Sequence, residues 1–150
     1  MDNVLLPGEV PRAPVTATPT QSPVLVNGDT VAFQAYHIGG NNFFRLRDIA
    51  YILNGTAAQF NVQWDAANSA ILLTSGAPYI PVGGEMPGSA TGSVTATPTR
   101  AAILLDGEPA NLRAYHIDGN NFFMLRDLGE ILGFGVEWDD DARAILISTD

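Results

Sequence analysis

The chain has no cysteine and no lysine among its 150 residues, and only two histidines. The missing thiols exclude disulfides, thiolate metal sites and cysteine nucleophiles. The missing amine excludes a Schiff-base lysine, a P-loop lysine and a lysine–asparagine cross-link, since all seven basic residues are arginine. Sixteen acidic residues bring the formal net charge to −9. That field repels phosphate backbones, so no nucleic-acid partner is expected. It equally disfavours an anionic membrane surface. No run of about 18 apolar residues occurs, so no membrane insertion is expected. The opening MDNVLLPGEV lacks the basic and apolar regions of a signal peptide. Hydrophobic residues still make up 46% of the chain, enough for a packed core.

What the chain does have is a duplication. YHIGGNNFFRLRDIA at 36–50 returns as YHIDGNNFFMLRDLG at 115–129, and VTATPT at 15–20 returns at 94–99. Further on, VQWDAANSAILLTS (62–75) matches VEWDDDARAILIST (136–149). The first copy carries five extra residues around NGTAAQF, and a length change between matched flanks marks a surface loop.

Each copy has one grammar. Asn27-Gly28, and Asp106-Gly107 in the second copy, are type I′ hairpin turns between strand-like runs. A second turn follows at Gly39-Gly40-Asn41 and at Asp118-Gly119-Asn120, before a third strand containing the Phe pair. Leu46, Ile49, Ala50 and Leu53 then fall at i, i+3, i+4 and i+7, one face of a helix. Leu125, Leu128, Gly129 and Leu132 repeat it, and two short strands close each unit. The expected fold class is α+β: two tandem small domains, each a curled antiparallel β-β-β-α-β-β sheet packed on one helix. Trp64 and Trp138 are expected to anchor the two cores beside the leucine faces. The expected division is a leader at 1–21, copy one at 22–80, a Gly/Pro/Ser-rich linker at 81–99 and copy two at 100–150.

The phrases GNNFFRLRDIAYILNG…VQWD…AILLTSG and GNNFFMLRDLGEILGFGVEWD…AILIST resemble the copper amine oxidase N-terminal, or stalk, domain family. The resemblance covers roughly residues 22–76 and 101–149. It implies a compact module on extracellular and cell-wall proteins, commonly of Gram-positive bacteria. The copper site of the amine oxidases lies in a different domain, so the resemblance carries over no catalytic or metal-binding residue. Arg45 and Met124 stand where the family often has Pro before Leu-Arg, which leaves the start of the helix open.

Candidate chemistry is sparse. His37 and His116 are single histidines at equivalent places, and a metal site needs several ligands at one point, so no cofactor is expected. Asp139–Asp141 lacks the alternating ligands of a calcium loop and has no counterpart in copy one, so it reads as a hairpin turn. Arg47 and Arg126 read either as carboxylate-binding groups or as structural ones. Tyr36 and Tyr115 alternate with the histidines and are candidates for stacking on a glycan, or for filling a half-buried sheet. None of the six serines lies in a nucleophile motif.

The expected function is therefore non-enzymatic: a secreted or wall-associated module that spaces, displays or assembles. The alternative is a carbohydrate-binding module for wall or extracellular glycans. The leaders VLLPGEVP and YIPVGGEMP are variants of one phrase, each preceding VTATPT. Tyr79 and Ile80 are expected to pack between the domains. Val4, Leu5 and Leu6 are candidates for filling the equivalent surface on copy two of another molecule, building head-to-tail fibres. Partners are thus other copies of the chain, envelope proteins or glycans.

Overall fold

The computed structural model describes residues 13–149. Copy one contributes β1 (Val15–Pro19), β2 (Val24–Val26), β3 (Asp29–Thr30), β4 (Ala35–Ile38), β5 (Asn41–Arg45), α1 (Leu46–Leu53), β6 (Phe60–Asp65) and β7 (Ala70–Ser75). Copy two contributes β8 (Val94–Pro98), β9 (Ala102–Leu105), β10 (Glu108–Pro109), β11 (Ala114–Ile117), β12 (Asn120–Met124), α2 (Leu125–Leu132), β13 (Gly135–Asp139) and β14 (Ala144–Ser148).

The fold is mostly β, at 45% strand and 12% helix, and it is not a pair of separate domains each packed on one helix. The α+β tandem expectation is overturned because the copies pair with each other. Six antiparallel strands close into a barrel in the order β1-β4-β5-β12-β11-β8, three from each copy. The seams between copies are β5 with β12, where Phe44 faces Phe123, and β1 with β8, where Thr16 faces Thr95. VTATPT is therefore a barrel strand in both copies, and the stretch read as a linker contains β8.

The barrel interior is small and aromatic. Tyr36, Phe43, Tyr115 and Phe122 fill it with Ile38, Ile117, Ala17 and Ala96. The rings pair edge-to-face across the copies, Tyr36 with Phe122 at 5.4 Å and Phe43 with Tyr115 at 5.2 Å. This geometry favours contact between positive ring edges and negative ring faces. Phe44 and Phe123 turn the other way, into a second core under the helices. An adjacent aromatic pair thus serves a strand buried on both faces.

The copies also exchange hairpins. The β2-β3 hairpin of copy one joins the last two strands of copy two, giving the sheet β13-β14-β2-β3. Reciprocally, β9-β10 of copy two joins copy one as β10-β9-β7-β6. The new pairings are parallel, with Val24 opposite Ile145 and Ile71 opposite Ile103. The I′ turns pin the exchange. Asn27 and Gly28 have φ of 50° and 90°, Asp106 and Gly107 of 52° and 86°. Asn27 Oδ1 accepts the backbone NH of Thr149, and Asp106 Oδ1 accepts that of Ser75, so each turn caps the last strand of the other copy.

On the helices, Leu46, Ile49, Leu53, Leu125 and Leu128 are buried and Leu132 is half-buried. The tryptophans are not core anchors: Trp64 is 54% and Trp138 44% exposed. The reason is length. Eight helical residues cover about 12 Å, whereas the six residues of β6 run about 20 Å. Phe60 and Val62 are buried with the helix, and Trp64, two residues further on the same face, projects past it.

Residues 77–86, between β7 and β8, form a strap on α1. Tyr79 is buried, and its backbone NH donates to Asn54 Oδ1. Ile80 is exposed, although its NH donates to Asn61 Oδ1. The assembly candidates Val4, Leu5 and Leu6 lie outside the described residues.

The five-residue difference between copies also has a structural outcome. In copy two the helix stops abruptly at Gly133, which is left-handed at φ 84°, and the NH groups of Gly133 and Phe134 both donate to Gly129 O. A Cβ on Gly129 would sit 2.7 Å from Phe134 O and 3.2 Å from Val136 Cγ2. Copy one has Ala50 at that place, with a longer exit loop. Gly129→Ala is expected to destabilise the fold by about 1–3 kcal/mol through overpacking, despite alanine's better helix propensity. A urea midpoint that holds or rises in this variant would contradict the reading.

Candidate functional site

Exchange places the helix and β6 of one copy beside barrel strands of the other, and a cleft opens on each side. The larger, about 530 Å³, is lined from copy one by Arg45, Leu46, Arg47, Gln63 and Trp64, and from copy two by Thr97, Thr99, Arg100, His116, Asn120 and Asn121. The smaller, about 160 Å³, is its counterpart with the copies reversed, between Arg126, Glu137 and Trp138 on one wall and Gly40, Asn41 and Asn42 on the other.

In the larger cleft each group is positioned by its element. Trp64 is the penultimate residue of β6, opposite Ile71 of β7, and its indole NH has no hydrogen-bond partner among the described residues. Arg47 lies in the first turn of α1. Its Nη1 donates to Val62 O and to the Tyr79 hydroxyl, both at 3.3 Å, and its guanidinium lies 5.9 Å from the Tyr79 ring centre. Arg100 is exposed on the turn between β8 and β9, and His116 points outward from β11, opposite in sense to the buried Tyr115. Thr99 Oγ1 donates to Asn121 Oδ1 at 3.0 Å, which leaves the Asn121 amide NH₂ free to donate.

The strap supports this wall from behind. Arg45 Nη1 donates to Asp48 Oδ1 at 3.1 Å and to Gly84 O at 2.8 Å, and the backbone NH of Met86 donates to the same Asp48 oxygen at 2.9 Å. Burial pushes the Asp48 carboxyl above its ordinary range, against the pull of the Met86 NH and the Arg45 guanidinium. At the tip of the strap, partial burial would raise the Glu85 carboxyl. The Tyr79 hydroxyl and the NH groups of Val82 and Gly83 outweigh it and hold the group at about 2.

The smaller cleft keeps one of these contacts, Arg126 Nη1 to Val136 O at 3.0 Å. Its tryptophan, however, is occupied by the protein. Trp138 Nε1 donates to Asp140 Oδ1 at 2.8 Å, and the Arg143 guanidinium lies 6.0 Å from its ring centre. Copy one has Ala66 and Ser69 at those two places. The Asp139–Asp141 turn is closed on itself, with Asp139 Oδ1 accepting the NH of Asp141.

Tyr36 and Tyr115, the candidate sugar platforms, are 3% and 1% exposed inside the barrel, where no ligand reaches them. The mistake is one of face: on β4 and β11 the histidine, not the tyrosine, looks outward. The groups that do line an open site are Trp64, Arg100, Asn120 and Asn121. Their one sequence signal was a tryptophan at a strand end, immediately before a turn. Among the described residues no three His, Asp or Glu side chains converge on a point where a metal could bind. No protein-family model, no curated protein and no solved structure matches the chain.

Proposed function

We propose that this chain is a non-enzymatic, extracellular carbohydrate-binding module, with the sugar held in the larger cleft against Trp64. The observation that carries this is the half-exposed indole in a cleft of about 530 Å³ whose facing wall presents hydroxyl, amide, imidazole and guanidinium groups. A flat apolar face opposite short polar donors suits a pyranose ring, which has an apolar face and a hydroxylated rim. An extracellular setting is supported by the resemblance of both copies to the stalk-domain pattern. The cleft hydroxyls of Thr97 and Thr99 donate to His116 O and Asn121 Oδ1, and among the described residues neither is hydrogen-bonded to the His116 ring, which favours binding over turnover.

The test is a glycan array followed by titration of a hit, read by tryptophan fluorescence. Trp64→Ala is expected to weaken binding roughly thirtyfold, the effect of losing an interface anchor worth about 2 kcal/mol. Because Trp64 is half-exposed, the same change should cost about 1–2 kcal/mol of stability and leave the protein folded. Unchanged affinity in Trp64→Ala would remove the proposal.

A second reading, a spacer or display stalk, is favoured by the hairpin exchange, which ties both ends of the fold together. It predicts no ligand on any array and indifference to Trp64.

A further inference from the structure

We infer that the saccharide held in the larger cleft is acidic: a sugar bearing a carboxylate, such as a uronic acid, placed between Arg100 and Arg47. The inference rests on the proposed carbohydrate-binding reading and narrows its ligand. Its basis is the distribution of charge. The chain carries −9 overall and has only seven arginines, yet three of them line this one cleft, and no Asp or Glu does. Arg45 is committed to Asp48. Arg47 and Arg100 have no ion-pair partner among the described residues. Arg47 spends Nη1 on the protein and keeps Nε and Nη2 without a protein partner. A planar guanidinium with adjacent free donors matches the two oxygens of a carboxylate.

The counterpart cleft serves as an internal control. There Met124 stands for Arg45 and Glu137 for Gln63, Gln21, the sequence equivalent of Arg100, does not line the cleft, and the one lining arginine, Arg126, shares the wall with that carboxylate. The architecture repeats but the positive charge does not. The fold alone therefore does not require arginine at position 100, which is exposed and bonded to nothing described. A function for Arg100 must lie outside the fold, and the cleft it borders offers one. The surrounding negative field also explains why the charge is concentrated: it repels polyanions at long range, while two arginines inside a cleft act on a single carboxylate at contact distance. Neutral hydroxyls of the same sugar are left for Asn120, Asn121 and Thr97.

The experiment uses the full chain on an array pairing uronate-bearing oligosaccharides with neutral ones of matched linkage, together with sulfated ones. Binding is expected among the carboxylated saccharides, weakened by added salt. Arg100→Gln, which installs the counterpart's residue, is expected to lower affinity for a carboxylated hit about tenfold, the loss of one charge-assisted contact, with no shift in melting temperature. Methyl esterification of the same hit removes the contact to both arginines, so it should produce a larger loss than Arg100→Gln in the unaltered chain and a smaller further loss in Arg100→Gln, the part held by Arg47. Hits confined to neutral sugars, or equal binding of acid and ester, overturn the acidic assignment and leave the carbohydrate-binding reading standing. Preference for sulfated over carboxylated sugars also overturns it. An array with no hits of any class overturns both.

Discussion

Residues 1–92 and 93–150, produced as separate polypeptides, are each expected to show no folded monomer, and to regain the native fold when mixed. The cut falls at exposed Gly92, where nothing packs, so chain cleavage itself removes little. What separation removes is large. Each half keeps three barrel strands and exposes two long edges, β1 and β5 in the first and β8 and β12 in the second. Open edges of this kind pair with other chains. Each half also loses the parallel partner of its last strand, with Val24 and Val26 no longer covering Ile145 and Ile147, or Ile103 no longer covering Ile71. A unit this small buries only about 60% of its unfolded surface even when complete, and here the surface it does bury faces the other half. Because the copies are alike, each half alone is also expected to form homodimers, with two identical copies closing the barrel. Circular dichroism with light scattering on each fragment and on the mixture reads the outcome. A cooperatively melting monomer from either fragment would show that the copies fold independently, and the intertwined architecture would be wrong.

The sequence carried the turns, the helix faces and the closing strands of this fold, and not the pairing between copies. The I′ turns at Asn27-Gly28 and Asp106-Gly107, the helix face of Leu46, Ile49 and Leu53, and the closing strand pairs are each set by neighbours within about ten residues. The exchange is set by which copy supplies a partner, and the copies read almost identically. Val24 opposite Ile145 and Val24 opposite Ile71 have the same chemistry, so no pattern separates pairing within a copy from pairing between copies. VTATPT was hidden for a different reason. Its inward residue is Ala17 or Ala96, since the barrel interior is already filled by four aromatic rings and has no room for a larger side chain. Small residues alternating with threonine and ended by proline have the composition of a linker. The larger cleft was invisible on the same grounds as the exchange: Trp64 and Arg100 belong to different copies and meet because the copies interlock.

Arg45→Met is expected to destabilise the protein by about 3–5 kcal/mol at neutral pH, and adding Gln34→Arg is expected to recover much of that loss. Asp48 is fully buried, and Arg45, 11% exposed, is its one ion-pair partner among the described residues. Removing one member of a buried pair strands the other charge, a far greater cost than the pair itself is worth. The second copy supplies the compensating arrangement. Its aspartate, Asp127, also lies in the first turn of its helix, but Met124 stands in Arg45's place. The arginine there is Arg113, at the position of Gln34, with Nη2 2.7 Å from Asp127 Oδ1 and Nε and backbone NH on Oδ2. The two copies therefore hold the equivalent carboxylate with one arginine each, supplied from neighbouring positions on adjacent chain segments. In copy one that pairing is incomplete, since Arg45 Nε and Asp48 Oδ2 have no partner. The Gln34→Arg geometry of copy two reaches both carboxylate oxygens, so the double variant can approach the original stability. The pH dependence follows from the direction of the Asp48 shift. Burial raises its folded pKa above the unfolded value, so the folded chain binds that proton more tightly, and ionisation costs stability as pH rises through the folded pKa. Loss of Arg45 raises that pKa further. The Arg45→Met penalty should accordingly be largest at neutral pH and shrink as acid protonates Asp48, while Arg45→Met with Gln34→Arg should lose that pH dependence. Urea denaturation of the three proteins across the acid range measures it. A single-variant penalty independent of pH, or one that Gln34→Arg leaves untouched, would mean that the Asp48 charge is not what Arg45 supports.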